Sequence, residues 1–152
     1  MSIESVRRFM AQHAPDIDII ETDGVTATVE QAAIVHNVEP NQIAKTLSLK
    51  VKNEVVLVVC AGEARLDNQK VKQALGSKAR MLRADEVVEL TSHPVGGVCP
   101  FGLPSELPVY CDISLQQYSE VLPAAGSVNS ALRISPQRML ELTKGAWIDI
   151  CQ

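Results

Sequence analysis

The chain has no run of about 18 consecutive apolar residues, the length that a membrane span requires. Its opening stretch, MSIESVRRFMAQHAPDID, lacks the apolar core of a signal peptide, so a cytoplasmic protein without a membrane partner is expected. Cysteine and histidine are sparse: Cys60, Cys99, Cys111 and Cys151 form no CxxC pair, and His13, His36 and His93 show no ligand-like spacing to them. Zinc and thioredoxin-type motifs are thereby excluded, and the four thiols are expected to be reduced and buried. No metal or other cofactor is implied. GxGxxG and P-loop signatures are missing too, so a nucleotide phosphate is not specifically indicated. A surplus of basic residues is also lacking. Fourteen Lys plus Arg against 18 Asp plus Glu give a formal charge of −4, which argues against a DNA-coating or basic membrane-surface protein.

What is present fits one compact domain. The 152 residues are 46% hydrophobic and 21% charged, near the globular average and enough for a core of their own. No repeat, low-complexity tract or linker divides residues 1–152. Charge is unevenly spread, with nine basic and three acidic residues between Lys45 and Arg83. A local basic face is expected there.

Helical spacing of Ile3, Val6, Phe9 and Met10 predicts a first helix to His13, ended by Ala14-Pro15. A short strand over Ile17–Ile20 stops at Asp23-Gly24. Thr28 and Gln31 form a capping box, opening a helix that runs towards Glu39-Pro40. Alternation over Ile43–Val51 predicts a strand, Lys52-Asn53-Glu54 a hairpin turn, and the apolar run Val55–Cys60 a central strand. Asp67 or Asn68 caps a helix closed by Gly76, followed by a strand at Ala79–Leu82 and a helix at Ala84–Leu90. His93–Pro104 holds three Gly and three Pro and reads as a loop. Strands at Leu107–Asp112 and Ala131–Ile134, a turn at Ala124–Ser127, a helix begun by Pro136 and a strand at Ala146–Ile150 complete the chain; Gln116–Val121 fits neither period. The elements mix without regular alternation, which predicts an α+β domain around a mixed β-sheet or partly closed barrel surrounded by helices.

Two features carry chemistry. Lys45 shares the parity of Leu47, so its ammonium either snorkels from the apolar face to water or stands at a pocket mouth, holding a phosphate or polarising an ester carbonyl. The loop Gly96-Gly97-Val98-Cys99-Pro100-Phe101-Gly102 is either a rigid turn or a cradle that aims backbone N–H groups at an oxygen. Cys99 reads as a pocket-wall or packing thiol more readily than as a nucleophile, and a thiol hydrolase built on it remains open. Asp112 reads as a turn-satisfying carboxylate. Ser127, Asn129 and Ser130 suit either a substrate amine or ribose, or the turn that carries them.

Gln42-Ile-Ala-Lys45-Thr-Leu47 and Val95-Gly-Gly-Val-Cys-Pro-Phe-Gly102 occur in the order shown by the YbaK/ProX family, whose members carry a lysine before Thr-Leu and a GGxxPxG loop. With Asn68–Gly76 between them and Ala125–Ser135 after them, the chain resembles that family over roughly Val25 to Leu142. These are freestanding relatives of the editing insertion domain of bacterial prolyl-tRNA synthetases. The resemblance implies a trans-acting aminoacyl-tRNA deacylase, with the acceptor end of tRNA for proline as partner and a prolyl-tRNA synthetase as a further one. Lys45, Gly96 and Gly97 would do the chemistry, Lys45 on the terminal nucleotide or ester and the glycine backbone on the carbonyl. Thr46, Val98, Cys99, Pro100, Phe101, Ala125, Gly126 and Asn129 would contact substrate. Water or the neighbouring ribose hydroxyl would attack, without a metal.

Cysteine-directed members carry an acidic residue and a serine where this chain has Ala124 and Ala131. A small apolar pocket for alanine or 2-aminobutyrate is therefore expected. Lys50, Lys52, Lys70 and Lys72 would line the tRNA approach, and the protein would be a monomer or weak dimer. The alternative is a non-catalytic module of the same fold that binds a small molecule or an aminoacyl end.

Overall fold

The computed structural model describes residues 2–152. Strand β2 (Ile43–Val51) and strand β3 (Glu54–Ala61) form its central hairpin, paired over eight residues from Ala44↔Ala61 to Val51↔Glu54. The turn between them places Lys52 in the left-handed region, φ 56°. Strand β4 (Ala79–Met81) runs antiparallel to the distal half of β2, while β5 (Val109–Asp112) adds parallel to β3 and β8 (Ala146–Ile148) parallel to β5. The sheet order is β4-β2-β3-β5-β8, with the two-residue strand β6 (Leu122–Pro123) joining β2 beside β4. This sheet is mixed and open, because β4 and β8 end it without meeting. The mixed-sheet form of the expectation holds and the barrel form does not. Strands β1 (Ile19–Glu21) and β7 (Ser130–Leu132) make a separate antiparallel pair.

Alternation along β3 sorts the core. Leu57 and Val59 face one side with Val109 and Cys111; helix α1 (Ser2–His13) buries Val6 and Met10 against them, and helix α5 (Pro136–Thr143) buries Met139 there. Val56, Val58 and Cys60 face the other side with Leu49 and Val51, closed by Val71 of helix α3 (Asn68–Leu75) and by Ile150 and Cys151. Helix α2 (Val29–His36) packs Ala32 and Ala33 against Ile43 and Leu122.

The elements start and stop for local reasons. Thr28 and Gln31 form the expected capping box on α2, and Asp67 accepts from the backbone N–H groups of Gln69 and Lys70 to start α3. Ser135 caps α5, whose first residue is Pro136. Helix α2 stops at His36 rather than continuing towards Pro40, because Asn37 turns left-handed (φ 55°) and returns its N–H to the helix. Residues Ile113–Gln117 form a 3-10 turn capped by Asp112, so the segment without a clear period is partly helical. Helix α4 (Ala84–Thr91) matches its expected position.

Candidate active site: a pocket on the open edge of strand β2

Strand β4 pairs with β2 only at Leu49–Val51, and β6 only at Ile43 and Ala44. Between them, the outer edge of β2 at Lys45–Leu47 has no strand partner, while Ser48 O accepts from the Leu82 N–H just past β4 at 3.0 Å. A cavity of about 350 Å³ opens at this gap. Its floor is Ala44–Thr46 and Ser48, and its walls come from Thr26–Val29 and Ala32, from Leu82, Ala84 and Val87, from Val95, Gly96 and Val98, and from Leu122, Ala124, Ser130 and Ala131. The volume suits an amino acid with part of a sugar.

The glycine loop reaches the cavity through a defined turn. The Gly97 N–H donates to Pro94 O at 2.9 Å, and Gly96 sits at the third position of this turn with φ 90°, as a type II turn requires. Both glycines are also needed for space. A Cβ on Gly96 would lie 2.8 Å from Ala27 Cβ, and one on Gly97 would lie 2.7 Å from the Ser127 backbone. The Gly126 N–H donates to Gly97 O, and the Thr26 N–H to Val128 O, so three segments are stitched into one wall.

Lys45 contributes to the cavity, and its ammonium donates to Ala64 O at 2.5 Å. One carbonyl uses one of three ammonium donors. Lys45 stands directly across from Cys60, whose thiol is pushed below its ordinary value by a hydrogen bond from Cys151 and by the Lys45 charge. The parity argument is met: the lysine stem lies on the Leu47 side and its head reaches the sheet end.

Of the residues singled out from sequence, Lys45, Thr46, Gly96 and Val98 line the cavity together. Gly97 lies behind them with its N–H committed to the turn, so that amide is not a donor for substrate in this conformation. Cys99, Phe101 and Ala125 are completely buried in the α1 and α5 core, and Phe101 stacks near Phe9 at 5.7 Å between ring centroids. Pro100 opens instead on a hollow that also touches Phe9 and Leu142. Gly126 supports the loop through its N–H. The Asn129 amide donates to Thr22 O and its carbonyl accepts from the Ser127 hydroxyl, which ties the turn down rather than facing a ligand. These residues stand behind the cavity because Cys99–Phe101 run buried into the core and Gly126 and Asn129 hold the neighbouring turn.

Among the four lysines, Lys50 shares the sheet face of Thr46 and Ser48. Lys52 is at the hairpin tip, and Lys70 and Lys72 lie on α3 across the opposite face. Lys70 donates to Asp149 at 3.0 Å and to Cys151 O at 2.9 Å.

One pairing was invisible in the spacing. His93 Nε2 lies 3.6 Å from Cys99 Sγ, the arrangement that a thiol hydrolase uses. Here it is inert. The ring nitrogen donates to Phe101 O at 2.8 Å, burial pushes the thiol up to about 12 and lowers the imidazole, and both side chains are sealed off from the cavity. Asp112 is likewise structural, accepting from the Ser114 and Ile150 N–H groups.

A cavity walled by apolar side chains and lined by a lysine and a glycine turn has the shape and lining of a small-ligand pocket at a strand edge. The profile of the aminoacyl-tRNA editing domain matches residues 23–142, and the chain belongs to that family. It is an aminoacyl-tRNA deacylase, a hydrolase of the ester between amino acid and tRNA, which sets aside the non-catalytic alternative. Bacillus subtilis YwhH is 45% identical over all of this chain and 98% of its own length. EbsC of Enterococcus faecalis, named as a candidate Cys-tRNA(Pro)/Cys-tRNA(Cys) deacylase, is 30% identical over 81% of this chain and 76% of its own. The proline–tRNA ligase of Citrifermentans bemidjiense is 30% identical over 70% of the chain, which corresponds to 19% of the ligase. A crystal structure described as a candidate trans-editing enzyme for prolyl tRNA synthetase superposes with a TM-score of 0.92 at 30% identity, covering 99% of this chain and 97% of that one. Among the described residues, no helix is long and apolar enough to cross a membrane.

Proposed function

We propose that this deacylase acts in trans in the cytoplasm on tRNA for proline carrying a side chain no larger than 2-aminobutyrate, with alanine and 2-aminobutyrate admitted by the apolar walls. The observation that carries the reading is the meeting of Lys45 with the Gly96 turn across one small cavity at the β2 edge. Ala124 and Ala131 narrow the wall without offering charge, which favours a short, uncharged side chain.

In this reading the Lys45 ammonium leaves or shares Ala64 O to hold the ester oxygen or the terminal phosphate. The loop at Gly96–Val98 keeps the carbonyl in place as negative charge develops on its oxygen. Water, oriented by the ribose hydroxyl beside the ester, adds to the carbonyl carbon; the bond from that carbon to the ribose oxygen breaks, the departing oxygen takes up a proton from the attacking water, and the amino acid leaves as its carboxylate. No side chain forms a covalent intermediate.

The test is single-turnover deacylation of tRNA for proline charged separately with alanine, 2-aminobutyrate, serine, cysteine and proline. Lys45→Ala is expected to lower kcat/KM by about 10²- to 10³-fold with the fold intact by circular dichroism. Full activity in Lys45→Ala would remove the lysine from the site, and inertness of the wild type towards every charged tRNA for proline would remove this substrate.

A further inference from the structure

The Lys45 ammonium stands on a turn that follows β3. Residues Ala61 to Ala64 close this turn, with the Ala64 N–H donating to Ala61 O at 3.0 Å, and the Ala64 carbonyl at its end receives the lysine. Two side chains hold the turn from outside. Ser114 Oγ accepts from the Ala61 N–H at 3.1 Å, and Asn41 Oδ1 accepts from the Glu63 N–H at 2.8 Å. Asn41 belongs to the short 3-10 turn Pro40–Gln42 that leads into β2, four residues before Lys45. The two turns fit closely: a Cβ on Gly62 would collide with the Pro40 carbonyl oxygen and with Val29 Cγ1. Neither Asn41 nor Ala61–Ala64 lines the cavity. The turn reaches it by two routes, the hydrogen bond from Lys45 and the packing of Gly62 on the wall residue Val29.

We propose that Asn41 is a positioning residue for deacylation, fixing through the Ala61–Ala64 turn the carbonyl on which the Lys45 ammonium stands. This rests on the reading that Lys45 is the cation of the site. An unheld lysine head is spread over many rotamers, and substrate has to collect it each time it binds. Ala64 O collects it beforehand with one N–H bond and leaves the other two for an ester or phosphate oxygen. The carbonyl does so only while the turn keeps its orientation. Glycine at the second position and an exposed Glu63 at the third give the turn little rigidity of its own, so the bond from the Glu63 N–H to Asn41 supplies it. Cutting that bond lets Ala64 O drift, and the ammonium with it. Ser114 still holds the Ala61 end, so the strand stays paired.

The experiment is a double-mutant cycle on whichever of the five charged tRNAs the wild type hydrolyses fastest, with folding followed by circular dichroism and thermal melting. Asn41→Ala is expected to lower kcat/KM by about tenfold when Lys45 is present. In the Lys45→Ala background the same substitution should have no further effect, because the group it positions is gone. Asn41→Asp keeps an acceptor at the same atom and should stay within about threefold of the wild type. Equal loss in both backgrounds assigns Asn41 to the Val29 wall or to general stability, and overturns the proposal while leaving Lys45 in the site. Full activity in Asn41→Ala, or a loss in Asn41→Asp as large as in Asn41→Ala, overturns it in the same way. Full activity in Lys45→Ala removes the lysine from the site and this inference with it, and a wild type inert towards all five removes the substrate reading as well.

Discussion

At the scale of single residues, the site depends on backbone that side chains would block. The Cβ of Gly97→Ala would meet three Ser127 backbone atoms at 2.7–2.8 Å, none of which belongs to a flexible group. The substitution should lower stability by about 1–3 kcal/mol in urea unfolding and raise KM by spreading the cavity wall. Cys99→Ser is expected to retain most of the deacylase activity, and alkylation of the native protein at Cys99 should be slow, because the thiol is sealed and held up at about 12. Rapid alkylation at Cys99 with parallel loss of activity would return this residue to the chemistry. Lys45 and the Gly96–Val98 stretch were legible because strand parity and paired glycines are local signals, whereas Thr46 entered only through the family resemblance. Gly97, Asn129 and the His93 contact of Cys99 were not, since each depends on which way a loop turns after it has docked on another segment.

At the scale of elements, the helices were legible through their caps and the strands through their alternation. Thr28 with Gln31, Asp67, and Pro136 at the start of α5 all act where the sequence placed them, and Ser135 adds a cap not expected from the sequence. Asp67→Ala removes two backbone bonds from the start of α3 and is expected to cost about 1 kcal/mol in denaturant unfolding. Activity should change little, as Asp67 is not among the residues that line the cavity. Strand β6 was not legible: two residues cannot show a period, and Leu122 and Pro123 pair with β2 only because β7 and the glycine turn bring them there. The end of α2 was overestimated for a similar reason, with one left-handed asparagine overriding a favourable pattern.

For the molecule as a whole, acid stability and salt dependence give separate tests. Arg80 and the Arg83 N–H hold the Glu86 carboxyl down to about 2 from its usual 4.5. A lowered value favours the folded state above the ordinary carboxylate range, and that advantage fades as pH falls from about 4.5 to about 2. The gap in melting temperature between wild type and Glu86→Gln should therefore shrink as pH is lowered from about 6 to about 3. For tRNA, the −4 total charge does not describe the surface that matters. Lys50 shares the cavity face, whereas Lys70 is tied to Asp149. Replacing Lys50 by alanine should reduce the slope of log affinity against log salt by about one, while Lys70→Ala should leave it unchanged.

The gap in the outer edge of β2 also fixes how the cavity can change in size. Its ends are the last residue paired with β6, Ala44, and the first paired with β4, Leu49. The opening is thus measured along a strand, where residues advance by about 3.3 Å each, giving about 10 Å for Lys45–Leu47, since Ser48 O already accepts from the Leu82 N–H. Extending β4 by one ladder pair would shorten it by a whole step and present the opposite side of the pleat at its margin. Side-chain exchange adjusts the same space by single methyl groups. Homologues that accept a different cargo would therefore fall into discrete frames set by strand pairing, with gradual tuning inside each frame.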